Sequence, residues 1–300
     1  MRRVGNASWE FEPGHEIAPG RTVLKSIGGG NLYEVHLVWD EHMHSILVAK
    51  VVRPDQADDD RAREGVAEEA EVLASLAHPV IVRGYGAVTA GPYPHLLIEH
   101  LEGPSLRRLI KRGGPLPLQQ LLPLALNLSG ALHYMAEEGW VHLDVKPDNT
   151  IMGVPPRLID LSIARPVERA ARVRKPIGTD AYMPPEQCDP SGYEGEIGPP
   201  ADVWGLGATL FHAAAGARPF PRQKTDRDSE DPEVRFPQLV RAPVELPDRV
   251  PAEMRALIGE MLVPDPADRP TAAGVAARLE PLIAELPAKL TLSRRGRTIA

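Results

Sequence analysis

The sequence has 300 residues, of which 43% are hydrophobic and 25% charged, and this composition is typical of a globular protein with one large domain or two lobes. Its formal net charge of −7 argues against a surface that binds nucleic acid throughout, and its only cysteine, Cys188, cannot form an intramolecular disulfide bond. Because the sequence has neither a secretory signal pattern nor a run of ~20 apolar residues, we expect a cytoplasmic protein without a membrane segment.

The first hundred residues predict mainly β-structure. Residues 1–20 are punctuated by glycine and proline and are expected to form an irregular lead-in. Residues 22–52 alternate strand-forming stretches with the polar turns GGGN and DEHMH, which predicts three consecutive strands. A helix is predicted over residues 66–76, where apolar residues recur on one face, and two shorter strands are predicted within 81–88 and 94–100.

Beyond Gly103 the pattern becomes helical. Apolar residues recur at helical spacing in five segments, 105–111, 118–138, 201–215, 252–261 and 272–284. A proline-rich connection occupies residues 219–251, and the basic residues 286–300 are expected to form a disordered tail. This order predicts an α+β fold, with a small antiparallel β-rich lobe that contains one main helix, followed by a larger and mainly helical lobe.

The segment VHLDVKPDN, residues 141–149, has the clearest chemical pattern in the chain. It places Asp144, Lys146 and Asn149 in one short loop. Phosphoryl transfer from a nucleotide needs a carboxylate to orient the attacking hydroxyl, a cation to neutralise the transferred group and an oxygen ligand for Mg²⁺. These three residue types supply all three functions, so the segment predicts a phosphoryl-transfer site.

The same segment resembles the catalytic loop H-R-D-x-K-x-x-N of protein kinases, with Leu143 where arginine is usual. Two further motifs of that family stand in the same order. IGGGNLYEV, residues 27–35, resembles the glycine-rich loop G-x-G-x-x-G-x-V, with Tyr33 in place of its third glycine. Asp160-Leu161-Ser162, which begins sixteen residues after Asp144, resembles the metal-binding D-F-G.

The C-terminal half contains motifs that resemble the structural anchors of the same family. Gly178-Thr179 and Pro184-Pro185-Glu186 match the end of the activation segment, Asp202 resembles the residue that anchors the catalytic loop, and Arg269 resembles the partner of Glu186. The chain therefore resembles a bacterial Ser/Thr protein kinase of the eukaryotic-like type. The resemblance implies a bilobal kinase domain over residues 21–285, with an N-lobe at 21–98, a hinge at 99–103 and a C-lobe at 104–285.

The resemblance also implies ATP and Mg²⁺ as cofactors and a Ser/Thr protein as substrate. Asp144 is expected to orient the substrate hydroxyl and Lys146 to stabilise the transferred phosphoryl group, while Asn149 and Asp160 are expected to hold Mg²⁺. Further partners are expected to include a regulatory protein, but neither nucleic acid nor a membrane.

Lys50 is expected to position the phosphates of ATP, held by a glutamate of the following helix. Glu69 is the favoured glutamate, and Glu68 and Glu71 are close alternatives. The remaining residues that the resemblance places at the nucleotide are Ile27, Gly28, Gly30, Val35, Ala49, Ile98, Glu99, Leu101 and Ile151.

Two departures from the family pattern bear on regulation. Many kinases are activated when a phosphorylated loop residue pairs with the arginine that Leu143 replaces here. Residues 163–177 contain no Ser, Thr or Tyr, so we expect activity without phosphorylation of this loop. The same loop is rich in Arg and Lys, which is compatible with docking of an acidic substrate or partner and equally with a solvated basic loop.

Two alternatives stay open. Tyr33, Leu143 and Ser162 are compatible with a pseudokinase scaffold that binds nucleotide or partners without catalysis. A small-molecule phosphotransferase of the same fold is the second alternative, although Lys146 and Thr179 favour a protein substrate. Hydroxyl groups of the basic tail, at Thr291, Ser293 and Thr298, are candidate autophosphorylation sites.

Overall fold

The computed structural model describes residues 7–223 and 225–286, and their N-terminal part is built on one antiparallel sheet. Its strand order is β1-β2-β3-β4-β6-β5. The strands are β1 (Glu16–Ala18), β2 (Arg21–Gly29), β3 (Tyr33–Asp40), β4 (Ser45–Val52), β5 (Gly84–Val88) and β6 (His95–Glu99). One long helix, α1 (Asp60–Ser75), connects β4 to β5. The predicted β-rich lobe with one main helix is thereby confirmed.

The helix α1 begins six residues before its predicted start. Asp59 is the N-cap, and its carboxylate accepts a hydrogen bond from the backbone N–H of Arg61 at 2.9 Å. Asp60 follows in the first turn, where a negative charge is favourable. The acidic stretch before residue 66 therefore starts the helix, whereas apolar periodicity predicted a start at residue 66.

Residues 7–18 are more ordered than the predicted irregular lead-in. Strand β1 pairs antiparallel with β2, and Trp9 and Phe11 pack on the outer face of the sheet. The prediction of an irregular lead-in is wrong only at Glu16–Ala18, which form β1, because so short a strand between glycines and prolines leaves no periodic pattern. Residues 7–15 contain neither helix nor strand, although their aromatic rings are packed.

The two faces of the sheet serve different cores. The outer face buries a small cluster made of Ile17, Val23, Val38, Leu47, Ala49, Val51 and Leu97. The inner face carries Val48, Val52, Leu96 and Ile98, which join the main core of the molecule. Because side chains alternate along a strand, the residues on either side of Val48 in β4 point away from that main core.

The C-terminal part is mainly helical, as predicted. Its helices are α2 (Leu106–Gly113), α3 (Leu118–Glu137), α4 (Val167–Ala170), α5 (Pro185–Cys188), α6 (Pro199–Ala215), α7 (Pro232–Arg235), α8 (Ala252–Met261) and α9 (Ala272–Ala284). Two-residue strands pair as β7 (Trp140–Val141) with β10 (Arg165–Pro166) and β8 (Thr150–Ile151) with β9 (Arg157–Leu158).

Helix α6 lies at the centre of the C-terminal part. It is apolar on nearly all sides, and almost every residue from Ala201 to Ala214 is buried. Gly207 permits a close approach to α8, because a Cβ built there would lie 2.8 Å from Cβ of Met261. The helix therefore provides a rigid, buried base for the loops that begin and end near it.

In residues 7–223 and 225–286, no helix combines the length and hydropathy that a bilayer crossing requires. The proline-rich connection at 219–251 contains only α7 and short 3₁₀ turns among its described residues. Most of the predicted basic tail at 286–300, including its three hydroxyl residues, lies outside the described residues.

Candidate active site

Lys50, Glu69 and Asp160 form a compact group that we call the charge triad. Lys50 Nζ lies 2.8 Å from Oε1 and 2.7 Å from Oε2 of Glu69, and 2.8 Å from Oδ1 of Asp160. Strand β4 supplies the lysine, α1 the glutamate, and the loop after β9 the aspartate. Glu69 also accepts a hydrogen bond from the backbone N–H of Leu161 at 3.2 Å, which ties α1 to the same loop.

The structure distinguishes among the three candidate glutamates. Glu69 is 3% exposed and contacts Lys50, whereas Glu71 is exposed and Glu68 forms an exposed ion pair with Arg169 at 3.4 Å. The three lie within one turn of helix, so only the face of α1 that meets the sheet determines which one reaches the lysine.

Burial and mutual attraction shift the ionisation of the charge triad. Burial alone lowers the pKa of Lys50, but the carboxylates of Glu69 and Asp160 outweigh it and raise this pKa above its usual range. For Asp160 burial acts to raise the pKa, and the charge of Lys50 overcomes it and lowers the pKa to about 2. Burial raises the pKa of Glu69, with Lys50 opposing the effect. Asp160 is therefore an anion throughout the physiological pH range.

The catalytic-loop residues converge on Asp144. Its Oδ2 accepts hydrogen bonds from Lys146 Nζ at 2.5 Å and from Asn149 Nδ2 at 3.1 Å. Lys146 also donates to Oγ1 of Thr179 at 2.7 Å, and Asn149 also donates to the backbone oxygen of Asp144 at 3.0 Å. The other carboxylate oxygen of Asp144, Oδ1, is buried and has no hydrogen-bond partner among the described residues. An unpartnered buried oxygen of this kind is costly and marks an acceptor for a further donor.

Asp202 of α6 fixes the backbone of the same loop. Its two carboxylate oxygens accept the N–H groups of His142 and Leu143, each at 2.7 Å. Burial raises the pKa of Asp202, while the two backbone donors favour its charged form. The Asp144 side chain begins one residue beyond these two bonds, so α6 determines where the carboxylate is held.

The inner face of the sheet lies beside the charge triad, and we call the side of the sheet to which this face points the cleft side. Val35 lies directly opposite Lys50 in the β3–β4 ladder, and Val48 lies opposite Ile98 in the β4–β6 ladder. Residues directly opposite in a ladder share a face, so all four side chains point to the cleft side. Leu101 is partly buried against the same core, where the chain leaves β6.

The expectation that Ala49 contacts the nucleotide is wrong. Ala49 belongs to the outer cluster and is fully buried there, because adjacent residues of a strand point to opposite faces. Val48, which stands two residues before Lys50, occupies the corresponding position on the cleft side. Strand alternation applied to Lys50 would have identified Val48 from the sequence.

The other predicted nucleotide contacts lie around the rim of this cleft. Ile27 is 48% exposed at an irregularity of the β2–β3 ladder between Ser26 and Gly28. Glu99 ends β6, with its backbone N–H bonded to the Arg83 oxygen at 2.9 Å. Ile151 is partly exposed and bridges to Ser105 just after the hinge.

The glycine-rich turn, residues 28–33, connects β2 to β3. Cβ atoms built at Gly28 and Gly30 would meet nothing within 4 Å, so no neighbouring side chain covers the turn at these positions. The N–H of Gly30 itself donates to the Tyr33 oxygen at 2.9 Å. Gly29, which the sequence did not single out, has φ of +157°, and a Cβ there would lie 2.6 Å from the Tyr33 oxygen. It is the glycine that the tight hairpin requires.

Tyr33 replaces a glycine but does not fill the turn. Its ring packs on the inner face, with Lys50 Nζ 5.1 Å from the ring centroid, and burial raises its pKa to about 12. The bulky side chain thus lies beneath the turn, against the lysine of the charge triad, and adds a cation–π contact there.

An apolar cluster takes the place of the usual arginine contacts beside the catalytic loop. We call it the Leu143 cluster. It contains Val141, Leu143, Ala170, Ile197 and Ala201, with Ile163, Val167 and Val173 packed against it. Leu143 is 3% exposed, and its backbone oxygen also accepts a hydrogen bond from Gln187 Nε2 at 3.0 Å. The activation segment therefore packs on the catalytic loop through apolar contacts.

The end of the activation segment is held by a buried ion pair. Arg269 donates from two guanidinium nitrogens to Glu186, at 2.6 and 2.9 Å, and the side chains are 0% and 2% exposed. A bidentate pair in this environment fixes the orientation of α5 relative to the loop after α8.

A model of the protein kinase domain family matches residues 21–278 of this chain. The chain belongs to the protein kinase domain family. Among similar proteins is serine/threonine-protein kinase PknB of Mycobacterium leprae, 32% identical over 203 residues, which are 65% of this chain and 32% of that protein. Probable serine/threonine-protein kinase PkwA of Thermomonospora curvata is 33% identical over 271 residues, 89% of this chain and 34% of that protein.

A more distant relative is Aurora kinase of Dictyostelium discoideum, 27% identical over 248 residues that cover 82% of this chain and 62% of that protein. The chain spans about a third of the length of the two bacterial relatives. The resemblance to bacterial Ser/Thr protein kinases that the motifs suggested is confirmed by these matches.

The kinase domain presents a donor set that fits a nucleotide with its divalent cation. Both amide hydrogens of Asn149 have acceptors on Asp144, which leaves the amide oxygen for a cation, and Asp160 holds Lys50 through only one carboxylate oxygen. Oxygen ligands of this kind suit Mg²⁺. The surface of the turn at Gly28, which no side chain covers, and the ammonium group of Lys50 are suited to phosphate oxygens.

Proposed function

We propose that this chain is an ATP- and Mg²⁺-dependent kinase that phosphorylates Ser or Thr hydroxyl groups of proteins. The proposal rests above all on Asp144, whose Oδ2 is held by Lys146 and Asn149 while its buried Oδ1 has no partner among the described residues. A hydroxyl group that donates to the Asp144 carboxylate, whose side chain is 11% exposed, would be oriented for attack and would lose its proton to that carboxylate. The names of the bacterial relatives support Ser/Thr of proteins as the acceptor class.

Each of the other polar residues has a part in this function. Lys146 sits between Asp144 and Thr179, where its charge stabilises the phosphoryl group during transfer. Asn149 and Asp160 would supply oxygen ligands to Mg²⁺, which would neutralise the charge of the phosphates when bound. Lys50, oriented by Glu69, holds the non-transferred phosphates.

The test of this proposal compares the wild type with Asp144→Asn. Both are incubated with MgATP and a generic basic protein, and phosphate addition to the kinase or the acceptor is followed by intact mass. We expect the variant to be slower by ~10²–10⁴-fold, because the amide cannot accept the proton, while MgATP still binds. Wild type that binds MgATP but adds no phosphate to itself or to the acceptor would instead indicate a pseudokinase scaffold.

We further propose that activity does not depend on phosphorylation of the activation segment. The Leu143 cluster supports this, because it packs the segment on the catalytic loop without any charged partner for a phosphate. Removal of all phosphate with a phosphatase should therefore change the initial rate by less than about twofold. A required phosphate on Ser162 or Thr179, found by phosphopeptide mapping, would overturn this part of the proposal.

The cytoplasmic location and a regulatory protein partner remain proposals of the same kind. The location rests on the single cysteine, Cys188, which cannot form an intramolecular disulfide bond, and the partner on the basic residues of the activation segment. Arg172, Arg174 and Lys175 are exposed there and could contact an acidic protein surface.

A further inference from the structure

Residues 7–15, which we call the N-terminal segment, cover the outer face of the sheet and precede the stretch matched by the kinase family. Trp9 stacks on Phe11 with ring centroids 5.8 Å apart, and both rings meet Tyr93 edge-on at 4.9 and 5.1 Å. Two backbone hydrogen bonds of 2.8 Å join the segment to Val23 of β2. The segment is thus an integral part of the N-terminal lobe.

Arg53 connects this segment to the glycine-rich turn. Its Nε donates to the Gly30 oxygen at 2.7 Å, and its Nη1 donates to the Ala7 oxygen at 2.8 Å and to Glu34 Oε1 at 3.1 Å. The side chain is 13% exposed. Because a guanidinium is planar and its donors have fixed directions, it holds these three acceptors in one arrangement.

Trp9 supplies a second connection to the same region. Its indole N–H donates to the Val52 oxygen at 2.8 Å, and its backbone N–H donates to Glu34 Oε1 at 3.1 Å. Glu34 is 4% exposed, and its other oxygen lies 3.2 Å from His36 Nε2. The segment is therefore hydrogen-bonded to β3 at Glu34 and to the end of β4 at Val52. Strand β3 carries Tyr33, and β4 carries Lys50.

We propose that the N-terminal segment and Arg53 hold the glycine-rich turn in the position that binds MgATP. Trp9 and Arg53 are then positioning residues, which act on the nucleotide through the backbone of the turn. A flexible turn must lose conformational freedom when its N–H groups meet phosphate, and prior fixation removes part of that cost. Coupling is reciprocal, so MgATP should also tighten the N-terminal segment. The inference rests on the proposed kinase function only for the identity of the nucleotide.

The test uses the full chain and two conservative variants, Arg53→Lys and Trp9→Phe. The lysine has a single nitrogen that cannot reach three acceptors, and the phenylalanine keeps a ring but loses the indole N–H. Hydrogen exchange without nucleotide should be ~3–10-fold faster at residues 28–33 in both variants. Arg53→Lys loses the bond to the Gly30 oxygen, and Trp9→Phe loses the bond to the oxygen of Val52, which lies opposite Tyr33 in the β3–β4 ladder. The Kd for MgATP should rise by a similar factor, and the rise in KM for ATP should exceed any fall in kcat.

Two matched controls separate positioning from general stability. Arg63 also bridges backbone oxygens of the N-terminal lobe, those of Ala57, Thr89 and Gly91, but it does not contact the turn. Trp39 is 37% exposed on β3 and does not belong to the cluster that contains Trp9, Phe11 and Tyr93. Arg63→Lys and Trp39→Phe should leave both the exchange of the turn and the Kd for MgATP unchanged.

The outcomes separate this inference from the proposed function. Equal exchange and equal Kd in Arg53→Lys and Arg63→Lys would overturn the inference, as would faster exchange of the turn without any change in Kd. If the wild type binds MgATP but phosphorylates nothing, the kinase function fails while the exchange and Kd measurements still decide the role of the segment.

Discussion

The catalytic loop lies between two regions that are held by opposite kinds of interaction. On the nucleotide side, the charge triad is joined by short contacts between charged groups, of which Lys50 and Glu69 are buried and Asp160 is partly exposed. On the side of the activation segment, the Leu143 cluster contains only aliphatic side chains. The first region is directional and depends on ionisation, whereas the second depends only on burial and shape.

This difference explains how the two sides can respond to different changes. A buried charge group is stable only when all members are present, so loss of one member disturbs both the fold and the chemistry. An apolar cluster loses stability gradually as methyl groups are removed, and no phosphate or proton controls it. We therefore expect the nucleotide side to be sensitive to charge and the activation segment to be insensitive to it.

The largest expected effect comes from Lys50→Met, which breaks the charge triad. It leaves the buried carboxylate of Glu69 without a cation, next to the partly exposed Asp160, so we expect the free energy of unfolding to fall by about 3–5 kcal/mol. Phosphoryl transfer should fall by at least ~10²-fold, because the phosphates lose their positioning cation. Urea denaturation and initial rates measure the two effects. Lys25→Met, on an exposed position of β2, is the control and should leave both values near those of the wild type.

An intermediate effect is expected from Leu143→Ala in the apolar region. The cavity should lower the free energy of unfolding by about 2–4 kcal/mol. It should also loosen the activation segment, so that trypsin cuts faster at the basic residues between 169 and 175. Leu128→Ala in α3 is the control, since Leu128 is also buried but belongs to the main core and not to the Leu143 cluster. Equal trypsin cleavage in the two variants would show that the Leu143 cluster does not hold the segment.

The smallest expected effect concerns the loss of stability in acid. We expect the contribution of His212 to be lost at a higher pH than that of Asp160. Burial lowers the pKa of His212 to about 4. Its Nδ1 shares a 2.7 Å hydrogen bond with the Tyr182 hydroxyl. A histidine with a lowered folded pKa contributes stability above its unfolded pKa of ~6.5, and this contribution is lost as the pH falls toward 4. For Asp160, with a pKa of about 2, the corresponding loss occurs only below about pH 4.

Denaturation curves of the wild type and His212→Gln between pH 7 and 4 measure this effect. The difference between them should change by on the order of 1–2 kcal/mol across that range. Asp160→Asn serves as the comparison, and its difference from the wild type should stay constant until the pH falls below about 4. Other histidines with lowered pKa, His36, His78 and His95, leave a residual slope in both curves.

Motifs with fixed spacing allowed most of the site to be predicted from the sequence. Asp144, Lys146 and Asn149 lie within six residues, so local geometry alone brings them together. The charge triad joins residues 19 and 110 positions apart, and the sequence identified Lys50 and Asp160 only through resemblance to a family. The sequence favoured Glu69 as the partner of Lys50 but left Glu68 and Glu71 as close alternatives, because that choice depends on how α1 is rotated about its axis against the sheet.

The errors have equally specific causes. Ala49 was assigned to the wrong face although strand alternation could have corrected it. The early start of α1 followed from capping by Asp59, which a search for apolar periodicity overlooks. The contacts of Arg53 had no pattern in the sequence at all, because they join the backbone oxygens of Gly30 and Ala7 and a carboxylate oxygen of Glu34, whose positions depend on the folded lobe.

The attachment of the catalytic loop to Asp202 has a consequence for thermal inactivation. Asp202 belongs to α6, the most deeply buried helix, and its carboxylate holds the backbone just before Asp144. Asp144 should therefore keep its position on heating for as long as the interior of the C-terminal lobe stays intact. Heat should abolish catalysis at the loop only when that lobe unfolds as a whole, whereas loss of nucleotide binding can come earlier, from the smaller N-terminal lobe.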